Sequence, residues 1–264
     1  TTLFRSPSNF PPVAAVDILE RAANLVLKGR KCTNEDSTLR WLDPCAGWGG
    51  RLAAFWFSEN YSTYVGLDPN PRTHFGYVEM NEWLKKRAPA IIGEKKQKRA
   101  IFLEACAEDR TWIDVLPPDF TEFDVIFTSP PYFDTEIYCR DSTQSCNKFP
   151  KFVDWKEMFF FKMLENVISV LTADGIVVLN VSGCASCVTL VEDTKNFMES
   201  RGFSLVEEAF LFVASRSMRN TDEKRDNYEP VLFFQRIPPN LQEENHSAEQ
   251  PLILDQAAKR RKTE

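Results

Sequence analysis

The sequence predicts an α/β fold: a mostly parallel β-sheet with helices on both faces. Two observations carry this. Short apolar and β-branched runs alternate along the chain with stretches of helical periodicity, the pattern of strands joined by crossover helices. A glycine-rich turn, Asp43-Pro44-Cys45-Ala46-Gly47-Trp48-Gly49-Gly50, joins a strand to a helix, where a doubly wound sheet binds nucleotides. The 264 residues are 43% hydrophobic and 27% charged, enough to bury one sizeable core. One domain is expected over 1–237, followed by a polar, disordered tail over 238–264.

In chain order, a first helix is predicted over 12–28, with Pro12 at its start and Val13, Val16, Leu19, Ala23 and Val26 near helical spacing. A strand over 39–42 leads through the glycine turn into a helix over 51–58. A strand over 64–67 and a helix over 72–87 follow. The next strand spans 100–106 and precedes a short helix at 111–116. The strand over 124–127 ends at Thr128-Ser129-Pro130-Pro131-Tyr132, where the proline pair cannot continue a central ladder. A polar loop to about 152 opens a long helix over 154–171, with Asp154 as its N-cap and Gly175 just past its end. A strand over 176–181, a helix over 189–200 and strands over 205–213 and 231–235 complete the domain.

The formal charge is −6, which argues against a protein that clamps nucleic acid unaided. The positive charge is concentrated instead. Residues 85–99 hold Lys85, Lys86, Arg87, Lys95, Lys96, Lys98 and Arg99 against Glu94; a solvated loop and a nucleic-acid contact are the two readings of this run. Lys259-Arg260-Arg261-Lys262 reads as a nuclear-import signal in a eukaryotic host or as a solvated terminus. No apolar stretch approaches a membrane span and no secretory leader opens the chain, so an intracellular protein is expected, nuclear in a eukaryote and otherwise cytoplasmic. Seven cysteines, an odd number, are expected as reduced thiols, Cys184 and Cys187 among them. With two histidines and no second cysteine pair at zinc spacing, no metal site is expected, and histidine-dependent hydrolase chemistry lacks a base.

Two sites carry chemistry. Gly47 and Gly49 let the backbone approach a ligand, and Asp68 ends the next strand 18 residues after Gly50, placed to bond ribose hydroxyls. Position 52 is Leu, so the third glycine of a dinucleotide loop is missing, which points to a ribose-bearing cofactor without a pyrophosphate. At the second site, Ser129-Pro130-Pro131-Tyr132 can hold a hydroxyl, a carbonyl and a ring in fixed relation, which suits a flat base presenting an amino group.

These residues resemble the S-adenosylmethionine-dependent methyltransferases of nucleic-acid amino groups, the N4-cytosine type in particular. Asp43-Pro44-x-x-Gly47-x-Gly49 is similar to their cofactor loop, Asp68 to their ribose acid and the Ser-Pro-Pro-Tyr run to their catalytic loop. The resemblance spans about 9–236. It implies a class I methyltransferase Rossmann-like sheet with an antiparallel last strand. S-adenosylmethionine is expected against Phe10, Asp43, Pro44, Ala46, Gly47, Gly49, Asp68, Pro69, Cys106, Ala107, Glu108 and Ser129. Phe10 has a helix-cap reading beside this one, Trp48 lies on the cofactor or in the core, and Cys45 is read as packing.

The resemblance places catalysis on Ser129, Pro130, Pro131 and Tyr132. The Ser129 hydroxyl and Pro130 carbonyl accept the two amine hydrogens, and Tyr132 stacks on an unpaired or flipped base. Stacking needs only the ring, so Tyr132→Phe is expected to keep much of the activity. Phe133, Arg140, Arg216 and Arg219 are expected at the substrate. DNA is the favoured acceptor; adenine N6, RNA, a protein glutamine and a partner-subunit role remain open. No segment is long enough for a separate target-recognition domain, so selectivity falls to short loops or a protein partner.

Overall fold

The computed structural model describes residues 10–30, 38–92, 97–135, 138, 142–212, 228–237 and 252–254. The chain runs through α1 (Pro12–Gly29), β1 (Leu39–Asp43), α2 (Gly50–Phe57), β2 (Tyr61–Leu67), α3 (Pro71–Ile92), β3 (Arg99–Leu103), α4 (Thr111–Asp114) and β4 (Phe123–Thr128). It continues through α5 (Ser145–Lys148), α6 (Phe152–Trp155), a π-helical turn (Lys156–Phe161), α7 (Lys162–Ile168), β5 (Leu171–Asn180), α8 (Leu190–Ser200), β6 (Phe203–Phe212), β7 (Tyr228–Arg236) and β8 (Leu252–Leu254). The strands form one sheet in the order β3-β2-β1-β4-β5-β7-β6-β8, and β7 runs antiparallel to both its neighbours. This is the expected mostly parallel sheet.

The central strands are mostly apolar between their polar ends because both faces are covered. Trp41, Val125 and Phe127 pack with α1 and α2 on one face, against Ile18, Leu19 and Phe55. Leu42, Ile126 and Leu179 pack on the other face, against Trp155, Phe160, Met163 and Leu190. β1 leads outward to β2 and β3 on one side and adjoins β4 on the other, so the carboxyl ends of β1 and β4 flank the topological switch point, where open α/β sheets bind ligands.

Several boundaries differ from the sequence expectation. The long helix starts at Phe152 with Lys151 as N-cap, and Asp154 lies in its first turn, where a carboxylate faces the positive helix end. The helix ends at Ile168, so Gly175 is not its stop but a residue of β5. A Cβ there would come within 2.6 Å of Leu171 Cδ1 and 2.9 Å of the Asp124 carbonyl, which is why glycine is required. β3 stops at Leu103, leaving Cys106 to Glu108 in a loop. Leu252–Leu254, inside the expected disordered tail, pairs in parallel with β6 as a short edge strand.

The basic run is not uniformly solvated. Lys98 is half-buried and donates to the carbonyls of Phe55 (2.6 Å) and Ser58, closing the carboxyl end of α2. Arg99 pairs with Asp119, and the Arg87 guanidinium lies over Trp83; positions 93–96 are outside the described residues. Among the described residues no helix is long and apolar enough to cross a membrane.

Candidate active site

Asp43 closes β1 and is fully buried. Its Oδ2 accepts from Arg51 Nε (2.8 Å) and the Tyr64 hydroxyl (3.1 Å), and its Oδ1 accepts from Arg51 Nη2 (3.1 Å) and the Thr128 hydroxyl (2.8 Å). Four donors fill the acceptor positions of a carboxylate. Asp43 is therefore not the direct cofactor contact expected from the sequence. It ties the end of β1 to the end of β4 and to the first turn of α2. Burial works against the Arg51 charge, but Asp43 beside it holds the guanidinium protonated, while burial and Asp43 together push the Tyr64 hydroxyl up. Arg51 also donates to the Cys45 carbonyl, and Thr128 Oγ1 accepts from the Cys45 amide at 3.2 Å.

That network sets the glycine loop. Gly47 and Gly49 take φ of 59° and 83°, values that strain any residue with a side chain. A Cβ on Gly49 would also come within 3.0 Å of Met80 Sδ, whereas one on Gly47 would meet nothing closer than 3.9 Å, so the loop is open at Gly47. The Gly47 amide donates to Asp68 Oδ2 at 3.2 Å, and its carbonyl accepts from the Tyr77 hydroxyl. Asp68, just past β2, also accepts on Oδ1 from the Asn70 amide and the Thr73 hydroxyl, both at 2.9 Å. Burial raises its pKa, against these three hydrogen bonds. Pro44 and Ala46 are buried, Pro69 is half-buried, and the Ala46 amide donates to the Leu67 carbonyl at 2.8 Å, joining the loop to β2.

At the end of β4, Ser129 and Pro131 are half-buried and Pro130 is buried. Asn180, the last residue of β5, donates through Nδ2 to the Pro230 carbonyl at 3.0 Å, which turns its Oδ1 toward Ser129 Oγ at 3.2 Å. An amide oxygen only accepts, so Ser129 donates its one hydrogen there and its oxygen keeps acceptor capacity. Tyr132 does not present a ring for stacking. It is 8% exposed, and its hydroxyl lies 3.0 Å from Asn180 Oδ1 and 3.0 Å from Glu229 Oε2. The hydroxyl is structural as well as the ring, so the expectation for Tyr132→Phe changes. Phe133, expected at the substrate, is buried at φ 51° with its ring against Phe152 and Trp155. A left-handed phenylalanine costs about 1–3 kcal/mol, and this aromatic cluster holds it there.

Around the crevice, Phe10 meets Phe127 edge-on at 5.6 Å and lies under the Arg51 guanidinium. Trp48 is 47% exposed, which removes the core reading. Cys45 packs against Met163 Sδ at 3.5 Å, its thiol pushed up by burial. Past β3, Cys106 is half-buried, the Ala107 carbonyl accepts from Trp112 Nε1 and Asn166 Nδ2, and Glu108 pairs with Lys148 of α5 at 2.8 Å. Cys184 and Cys187, expected as reduced thiols, form a disulfide, the turn after β5 bringing their Cα atoms to 4.7 Å. Arg140, Arg216, Arg219 and the basic tail 259–262 lie outside the described residues.

Sequence reasoning missed Arg51, Thr128, Asn180 and Glu229. Asn180 left one signal: it is the polar residue in the apolar run Ile176 to Val181.

No family model matches the chain, and no curated protein matches its sequence. Solved structures do match. One, from Listeria monocytogenes, is described as a candidate class I S-adenosylmethionine-dependent methyltransferase; it is 10% identical at a TM-score of 0.52, over 92% of this chain and 64% of that one. Another, described as a candidate RNA methyltransferase of Pyrococcus horikoshii, is 12% identical at a TM-score of 0.51, over 89% of this chain and 93% of that one. The fold is therefore that of the Rossmann-like class I methyltransferases.

Proposed function

We propose that this protein is an S-adenosylmethionine-dependent methyltransferase acting on the exocyclic amino group of a nucleic-acid base, N4 of cytosine in DNA. The observation that carries the reading is Ser129, held at the switch point with its hydrogen donated to Asn180, which leaves its lone pairs able to accept from an amine. The cofactor side fits as well. Gly47 leaves the loop open, and Asp68 Oδ2 has one donor among the described residues, so it retains an acceptor position for a ribose hydroxyl. Phe10, Pro69 and the Cys106–Ala107–Glu108 loop complete the cofactor's surroundings, and Asp43 and Arg51 position it indirectly.

When bound, S-adenosylmethionine supplies an electrophilic methyl group. The protein's part is to make a poor nucleophile adequate. An exocyclic amine delocalises its lone pair into the ring. Hydrogen bonds from its two N–H groups to Ser129 Oγ and the Pro130 carbonyl favour a pyramidal nitrogen and release that pair. Preorganised acceptors and positioning supply the rate, with no covalent bond to the protein. Residues 1–237 form the catalytic unit in this reading, and the tail is dispensable for methyl transfer.

The test is transfer of labelled methyl to DNA, RNA and protein pools followed by nucleoside mass spectrometry. N4-methylcytosine from single-stranded DNA is the expected product; 5-methylcytosine or methylated glutamine as the sole product overturns the reading. Asp68→Ala is expected to weaken cofactor binding by about 1–3 kcal/mol, the cost of lost hydrogen bonds to a buried polar partner. Calorimetry giving an unchanged Kd would remove Asp68 from the cofactor site.

A further inference from the structure

The Tyr132 hydroxyl carries one hydrogen and faces three oxygens that can accept it: Glu229 Oε2 at 3.0 Å, Asn180 Oδ1 at 3.0 Å and the Asn180 carbonyl at 3.2 Å. Ser129 Oγ stands 3.4 Å away on the same hydroxyl. A buried tyrosine is satisfied by one acceptor, and Asn180 already supplies two. The Glu229 carboxylate is therefore more than burial of Tyr132 requires, and it links through a single hydroxyl to the serine at the reacting position. β7 brings it there from 97 residues along the chain.

We infer that Glu229 is the terminal acceptor of the proton that leaves the amine during methyl transfer, reached through Ser129 and Tyr132. This rests on the amino-methyltransferase reading above. The balance is closed. As the amine nitrogen bonds to the methyl carbon it becomes cationic and must lose one hydrogen to end as a neutral secondary amine. That proton passes to Ser129 Oγ, the Ser129 hydrogen passes to Tyr132 Oη, and the Tyr132 hydrogen passes to Glu229 Oε2. Both hydroxyls end as they began. Glu229 ends as a neutral acid and returns its proton to solvent before the next turnover. Ser129 first holds its hydrogen on Asn180, so the relay needs one rotation about its Cβ–Oγ bond, which is open to a hydroxyl.

Glu229 acts through other residues and is a positioning group for the proton, not one that touches the base. Leu211, which does not titrate, lies opposite it on β6, and Asn180 at the end of β5 pairs with Val231 two residues along β7. The Tyr132 hydroxyl is an ionisable group that faces it at 3.0 Å.

The experiment compares the parent, Glu229→Gln, Glu229→Asp, Tyr132→Phe and the Glu229→Gln/Tyr132→Phe double variant in single-turnover methylation of a single-stranded oligonucleotide. Glu229→Gln should lower turnover about 10²-fold, the lower end of what general acid–base assistance supplies, with KM and cofactor affinity kept. Glu229→Asp should restore part of the rate. The double variant should be no slower than the slower single one, because the two residues form one chain. In the cofactor-free protein with labelled tyrosine, the Tyr132 Cζ resonance should move in Glu229→Gln, reporting the hydrogen bond without turnover. A parent that makes N-methylated base while Glu229→Gln keeps parent turnover overturns the relay alone. Losses that multiply in the double variant also overturn it. A parent that makes no N-methylated base overturns the functional reading and the relay with it.

Discussion

Replacing Arg51 with methionine is expected to lower the unfolding free energy by about 3–5 kcal/mol, because it strands a fully buried carboxylate. Asp43 has no exposed surface, and its two strongest donors are on that guanidinium. Tyr64 and Thr128 remain as neutral donors, which stabilise a carboxylate without cancelling its charge. The damage should reach the site, since Arg51 also holds the Cys45 carbonyl at the head of the glycine loop. Urea unfolding measures it, with an unchanged m-value marking a true loss of stability. The double variant Asp43→Leu/Arg51→Met is expected to recover much of the loss, because no charge is then left buried. A single Arg51→Met variant that loses under about 1 kcal/mol would show that Asp43 does not depend on this partner.

Ser129→Ala is expected to cut turnover by about 10²–10³-fold, the range seen when one preorganised polar contact to a reacting group is removed. Its hydroxyl bonds to Asn180 and Tyr132 and to no group of the glycine loop, so cofactor affinity and melting temperature should stay close to the parent's. Asn180→Ala should act in the same direction while leaving the serine in place, since the hydroxyl would then be able to donate toward the amine instead of accepting from it. Single-turnover methylation with cofactor titration separates the two effects. Parent-level activity in Ser129→Ala would remove the serine from the mechanism, whatever the product.

Both of these residues illustrate where sequence reading succeeds and stops. Ser129 is legible because a hydroxyl, two prolines and a tyrosine in a row at the end of an apolar strand form a local signal. Gly47, Gly49 and Asp68 are legible for the same reason: positive φ and a strand-end acid are properties of a short segment. The antiparallel last strand was legible only through resemblance, but the alternation of elements was visible in the residues. Where local signals misled, a distant contact was responsible. Gly175 reads as a helix stop until the Asp124 carbonyl beside it shows that no side chain fits. Lys98 reads as one charge in a solvated run until the end of α2 is seen to receive it.

The sequence by itself determined the α/β class, the position of the glycine loop and the two polar strand ends at Asp68 and Ser129, because hydrophobic periodicity and turn chemistry act within a few residues. The tertiary structure decided what those groups can do. It gave Asp43 to Arg51, Tyr64 and Thr128, and set Asp68 against the Gly47 amide. It turned Tyr132 and Phe133 inward, set Asn180 against Ser129 from 51 residues away and set Glu229 against Tyr132 from 97 residues away. Hydrogen-bond polarity depends on which partners meet in space, and a parallel sheet brings together partners that no sequence window contains.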